Sequence, residues 1–287
     1  MGLTTSHRFV EGDLPVEAGR YRLVASGSCP WCRRVLIARR LLGLTEVLPV
    51  SWSYGRGEDG YWELTAADGD RGIDPILGAR SLAEVYADTP GYVAPPTVPA
   101  LVDTQTGHVV MADSGAMLFD LATAWTPLHR TGAPDLYPVE RRLSTDAWDA
   151  WINDEINTQH AVVTHSNDPD EIAEAASRVL TAFDVVDTLL ARATGMEASR
   201  EDALTFSDGP GLAAVVSTEQ FLCGERPTGS DIRLFTTVQA YEYGGRQAYP
   251  DSGAPSISFW PALARWFRAL EGRRDWVGTE ERAALGL

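Results

Sequence analysis

The sequence predicts an α/β domain followed by an all-helical one. Three patterns carry that expectation: strand, helix and strand near the N-terminus, a hairpin and helix after a long polar stretch, and helical periodicity beyond residue 139. At 287 residues the chain is long for one α/β domain and comfortable for two. The expected boundaries are residues 1–130, with an insertion around 53–95, and residues 139–287.

The elements follow in order. "RYRLVA" at 20–25 is a short β-rich run ending at "SGSCPW". "CRRVLIARRLLGL" then sets Val35, Leu36, Ala38, Leu41 and Leu42 on a helical face, and Gly43 stops the helix. "TEVLPVSWS" is a second strand, and strand–helix–strand over so short a span implies parallel pairing. The stretch 53–95 is rich in Gly, Asp and aromatics and too long for a plain loop, so it is read as an insertion with its own helix at "SLAEVYA". "TVPALVD" and "TQTGHVVMAD" form a hairpin, and "DSGAMLFDLATAW" is a helix capped by Asp113 or Ser114. "TPLHRTGAPDLYP" at 126–138 reads as a linker. Helices are expected over roughly 139–165, 170–193, 211–222, 230–243 and 258–271, the fourth started by Thr228 three residues before Asp231.

Composition narrows the function. A net charge of −16 leaves no basic stripe to neutralise phosphates, which argues against nucleic acid. No apolar run reaches the ~18 residues a membrane helix needs, and "MGLTTSHRFVEGDLP" lacks a signal-peptide layout. Three cysteines do not make a secreted disulfide framework, so a cytoplasmic protein is expected. Every basic side chain except the histidines is arginine, which fits a GC-rich bacterial genome.

Cys29 and Cys32 raise the central question: redox pair, half of a zinc site, or one working thiol beside a bystander. A cysteine at a helix start faces unpaired backbone N–H groups and the positive end of the helix dipole. Pro30 is tolerated in that first turn, and Arg33 and Arg34 add positive potential, so all three effects favour a Cys29 thiolate. Zinc would need two further ligands, and the candidates, Cys223, His160 and His165, lie far along the chain; no metal is expected. Cys32, one turn in, either resolves a mixed disulfide or packs. Cys223 is expected to be a core residue, and so is the Trp148/Trp151 stripe.

The βαβ–ββα order is the thioredoxin-type arrangement, and with the helical domain the chain resembles the glutathione transferase superfamily. Within it the chain looks like the Xi class, the glutathionyl-hydroquinone reductases, on "SGSCPW", "ILGARSLAEVYADTPGY", "TVPALVD", "ADSGAML" and "TGSDIRLFTTV". The resemblance implies that Cys29 attacks the sulfur of a thioether-linked glutathione, releasing the hydroquinone and leaving an enzyme mixed disulfide that a second glutathione clears. It places Trp31, Val98, Pro99, Asp113 and Ser114 at the thiol cofactor, with Arg33 helping and the Val98–Pro99 bond cis. It also implies a homodimer acting on an electrophilic or S-conjugated small molecule.

The chain departs from the family in several places. Cys32 stands where Ala is usual, and Asp113 replaces a longer Glu. The aromatic run that builds the quinone pocket is replaced by "VQAYEYGGRQAYPDSGAP", leaving Tyr241, Tyr243 and Tyr249 as pocket candidates. The altered acid and the arginine-only composition also admit mycothiol as the small thiol. Two other readings remain: a glutaredoxin-like dithiol reductase of protein disulfides using Cys29 and Cys32, and a binding module that has lost the chemistry.

Overall fold

The computed structural model describes residues 7–92, 95–194, 221–250 and 254–287. The chain divides into two compact units, Met1–Ala133 with Val277–Leu287, and Pro134–Trp276.

The first unit is built on a five-stranded mixed sheet of order β3-β2-β1-β4-β5. Its central strand, β1 (Tyr21–Ala25), has Tyr21, Leu23, Val24 and Ala25 fully buried, as a strand covered on both faces must. Helix α1 (Pro30–Leu41) carries the chain over to β2 (Val50–Arg56), which runs parallel to β1 with Leu23 opposite Val50. Strand β4 (Ala100–Asp103) returns antiparallel on the other side of β1, and β5 (His108–Met111) closes the hairpin. Helix α3 (Ser114–Thr123) then packs against α1.

Local chemistry sets the ends of α1. Pro30 occupies its first turn, Arg39 and Arg40 sit at its negative end, and Gly43 takes φ +75° just past it. A Cβ at Gly43 would also lie 2.5 Å from the Arg130 side chain. Only glycine satisfies both demands.

The insertion contains the expected helix, α2 (Leu82–Ala87), whose N-cap Ser81 accepts from the Glu84 N–H. It also contains an unexpected strand, β3 (Trp62–Leu64), antiparallel to β2 with Arg56 opposite Trp62. "GEDG" at 57–60 makes the reversal: Gly60 has φ +80° and donates to the Gly57 carbonyl.

The expected helical span 139–287 ends earlier than predicted, because residues 277–287 belong to the first unit. Helix α9 (Thr279–Leu285) is held there by Glu281, 1% exposed, which accepts a 2.6 Å hydrogen bond from Arg40 of α1.

The second unit is helical. Helix α4 (Arg142–Trp151) continues through a π-helical stretch, Ile152–Asn157, into α5 (Thr158–His165); α6 (Pro169–Thr194), α7 (Gly229–Glu242) and α8 (Pro261–Glu271) complete it. Trp148, Phe183, Phe235, Tyr241, Trp260 and Phe267 are almost fully buried and form its core. Thr228 and Asp231 make the reciprocal cap at the start of α7. The helix expected over 211–222 lies outside the described residues except at Phe221 and Leu222.

Candidate functional site

Cys29 is the N-cap of α1, in extended conformation (φ −82°, ψ 118°) at the mouth of the loop that leaves β1. It is 9% exposed. Its thiol donates a hydrogen bond to the Val98 carbonyl at 3.6 Å, and the Val98–Pro99 peptide is cis. The residue before this proline therefore does lie beside the cysteine.

The two thiols are biased in opposite directions. Cys32 hydrogen-bonds to Cys29, the largest influence lowering Cys29, and the Trp31 and Cys32 N–H groups and Arg33 add to it; burial opposes them. The result is a thiol brought down to about 7. Cys32 is fully buried, and burial, with the Cys29 charge beside it, pushes its thiol well above the ordinary range. The Ser26 N–H donates to its sulfur at 3.4 Å. Of the two, Cys29 is the thiol that ionises near neutral pH. Cys223 is 3% exposed and pushed up to about 11 by burial, as a core cysteine should be.

The remaining predicted residues divide into two groups. Trp31 is half-buried on α1, with the Arg34 guanidinium 4.3 Å above its ring. Asp113 is the N-cap of α3, its Oδ1 accepting from the Ala116 N–H at 2.6 Å, and Ser114 follows it, 9% exposed. Arg33 was expected to help bind the thiol cofactor, but at 2% exposure it offers no surface to a ligand. Its influence on Cys29 is through its charge.

Two of the three tyrosines expected at a substrate pocket, Tyr241 and Tyr249, lie in the core instead. Tyr241 is fully buried and packs edge-on against Phe183, and its hydroxyl donates to the Pro255 carbonyl. Tyr249 is 4% exposed with its hydroxyl against His160 Nδ1 at 2.9 Å. Both are core residues, because helical packing claims their rings and buried partners claim their hydroxyls. Tyr243 sits nearer the surface and accepts from Arg268 at 2.8 Å. Among the described residues no group of three or more His, Cys, Asp or Glu side chains could hold a metal ion, and no helix is long and apolar enough to cross a membrane.

Sequence reading missed Glu281. It is 1% exposed and bears on the charge of Arg33. The available signal was the acidic start of "TEERAAL", which on its own reads as an ordinary first-turn preference.

Residues 28–124 match the family model described as glutathione S-transferase, N-terminal domain, and residues 169–269 the corresponding C-terminal domain. A glutathione transferase structure from Gordonia bronchialis is 31% identical, covering 95% of this chain and 76% of that one, with a TM-score of 0.78. The chain belongs to the glutathione S-transferase family. Among other members, glutathione transferase Xi 1 from Trametes versicolor is 26% identical over 94% of this chain and 84% of that chain, with a TM-score of 0.73. The glutathionyl-hydroquinone reductase PcpF of Sphingobium chlorophenolicum is 31% identical over 79% of this chain. The chain spans 64% of the length of that reductase. Its Xi-class likeness therefore covers both of its units.

Proposed function

We propose that this protein is a small-thiol-dependent transferase and reductase that cleaves S-conjugates through Cys29. The observation that carries the reading is a thiol at the N-terminus of α1, brought down to about 7, beside the Val98 carbonyl. At neutral pH about half of such a thiol is thiolate, against a few per cent for a free cysteine.

In the first step the Cys29 thiolate attacks the sulfur of the conjugate. An S–S bond forms and the S–C bond breaks; the electron pair leaves with carbon, which takes up a proton. The carbon partner is thereby reduced, and Cys29 carries the thiol as a mixed disulfide. A second small-thiol thiolate then attacks the carried sulfur, releasing the low-molecular-weight disulfide and the Cys29 thiolate. The relatives' names support glutathione as that thiol. Trp31, Val98, Asp113 and Ser114 are assigned to hold it, and the protein to act in the cytoplasm as a homodimer.

Because the aromatic run expected for a quinone pocket is missing, and Tyr241 and Tyr249 are core residues, slow turnover of glutathionyl-hydroquinones is expected. The deciding experiment is mass spectrometry of the protein mixed with an S-glutathionyl conjugate. A glutathione adduct on Cys29, absent in Cys29→Ser, supports the reading; turnover that survives Cys29→Ser overturns it. Parallel calorimetric titrations with glutathione and mycothiol identify the thiol.

The hydrogen bond from Cys32 favours a second reading, a dithiol reductase. Here Cys32 attacks the Cys29 mixed disulfide, releases the carried thiol and leaves a Cys29–Cys32 disulfide that two external thiols reduce. Loss of protein-disulfide reduction in Cys32→Ser, with S-conjugate cleavage retained, identifies it.

A further inference from the structure

The Val98 carbonyl that accepts from Cys29 has a second donor. Thr97 Oγ1 donates to the same oxygen at 3.4 Å, so one carbonyl serves the Thr97 hydroxyl and the Cys29 thiol together. One link further back, the Thr97 carbonyl accepts from the Tyr86 hydroxyl at 3.1 Å. Tyr86 therefore pins the Thr97–Val98 peptide, whose neighbour carries the oxygen that meets the sulfur.

Tyr86 is itself anchored. It lies on α2, in the insertion, and is fully buried, with its ring centroid 4.3 Å from that of Tyr92. Ser81, the N-cap of α2, forms an antiparallel bridge to Glu63 of β3. At the other end the Thr89 hydroxyl donates to the Val85 carbonyl and accepts from the Val109 N–H of β5. So short a helix would not hold its shape alone, but fastened at both ends to the sheet it presents a fixed hydroxyl. Burial pushes that hydroxyl well above its ordinary range, so it remains a donor wherever Cys29 titrates.

We propose that Tyr86 and Thr97 are positioning residues for the Cys29 reaction: Tyr86 holds the Thr97–Val98 segment against the sulfur, and Thr97 gives the Val98 carbonyl a donor that stays when the thiol loses its proton. The proposal rests on the reading of Cys29 as nucleophile. A carbonyl accepting from the neutral thiol favours that form and faces the thiolate unfavourably. Tyr86 keeps this carbonyl close, which aligns the sulfur but restrains its ionisation, and the Thr97 hydroxyl offsets the restraint. The groups that act on the charge of Cys29, Cys32 and Arg33 of α1, are unchanged in the variants below. Charged groups on the neighbouring elements have partners of their own: Asp103 of β4 with Arg20, Asp120 of α3 with Arg8, and Glu281 of α9 with Arg40, while Asp113 caps α3.

The test is the pH profile of iodoacetamide alkylation of Cys29 in the full chain, read site by site by mass spectrometry. Tyr86→Phe keeps the ring and removes the donor. The Val98 carbonyl is then free to leave the sulfur, and the midpoint falls by about half a unit. Alkylation at pH 6 becomes about twofold faster, because more thiolate forms while each is a little less nucleophilic. Thr97→Val does the opposite and raises the midpoint, whereas Thr97→Ser keeps the original profile. Tyr241→Phe, which removes a buried hydroxyl from the helical unit, leaves the profile unmoved. An unchanged midpoint in Tyr86→Phe or in Thr97→Val, shifts of the same sign in both, or an equal shift in Tyr241→Phe overturns the proposal. If Tyr86→Phe does not fold, the sign of the Thr97→Val shift decides it. The alkylation needs no substrate, so its outcome is separate from turnover in Cys29→Ser, which judges the nucleophile itself.

Discussion

Cys29 and Cys32 share one hydrogen bond that lowers the first thiol and raises the second. The asymmetry comes from place: Cys29 caps the helix, where N–H groups are unpaired, whereas Cys32 is sealed inside with only the Ser26 N–H at its sulfur. A thiolate belongs at one and not at the other.

The first expected outcome is kinetic. Alkylation of Cys29 titrates with a midpoint near 7, below the ~8.5 of a free cysteine, and Cys32→Ala raises it by removing the largest lowering influence. Cys32 and Cys223 stay unreacted across the same range. A faster Cys32 would reverse the assignment.

The thiol carries a stability consequence as well. Its folded value lies below its unfolded one, so its contribution to stability is present above about pH 8.5 and is lost as pH falls through about 7. Cys29→Ser therefore destabilises the protein more at pH 9 than at pH 6, as urea unfolding at the two pH values will show.

Asp231 behaves in the opposite sense. It is fully buried, accepts from the Leu222 and Thr228 N–H groups and the Thr228 hydroxyl, and burial pushes it up to about 6. Its protonated form is favoured in the folded state, so stability from this group is present below about pH 4 and lost as pH rises through about 6. The difference in unfolding free energy between wild type and Asp231→Asn should change between pH 4 and 7 by on the order of 2 kcal/mol. A pH-independent difference would refute it.

Tyr241→Phe separates core from pocket. It leaves the Pro255 carbonyl without its donor and should cost about 1 kcal/mol in unfolding free energy. Turnover and Cys29 alkylation should not change. A large loss of kcat or rise in KM would return Tyr241 to the substrate site.

Gly43→Ala should cost about 1–2 kcal/mol, because alanine resists φ +75° and its methyl meets the Arg130 side chain. Thermal melting measures it directly.

What the sequence made legible was local. Strand, Cys29, Pro30 and the apolar run of α1 lie within one stretch, so their periodicity and cap chemistry needed no tertiary information. The capping pair Thr228 and Asp231 was readable for the same reason. β3 was missed because three residues have too little alternation to signal a strand, and its pairing with β2 supplies the rest. Arg33 was read as a ligand contact because helical spacing gives a face and not a depth. Tyr241 and Tyr249 were misplaced for that reason too: an aromatic looks the same in a pocket as in a core. Glu281 was invisible because its partner Arg40 is 241 residues away.

The route of the chain through its two units bears on synthesis. The sheet unit owns both Met1–Ala133 and Val277–Leu287, so the helical unit is an excursion between them. A ribosome delivers the sheet long before α9, and until then Gly27 and Arg40 lack the helix that abuts them. The packing around the loop before Cys29 is thus completed only when translation is nearly over. A nascent chain arrested before residue 277 would hold the sheet's strands without the helix that packs against Gly27 and pairs with Arg40.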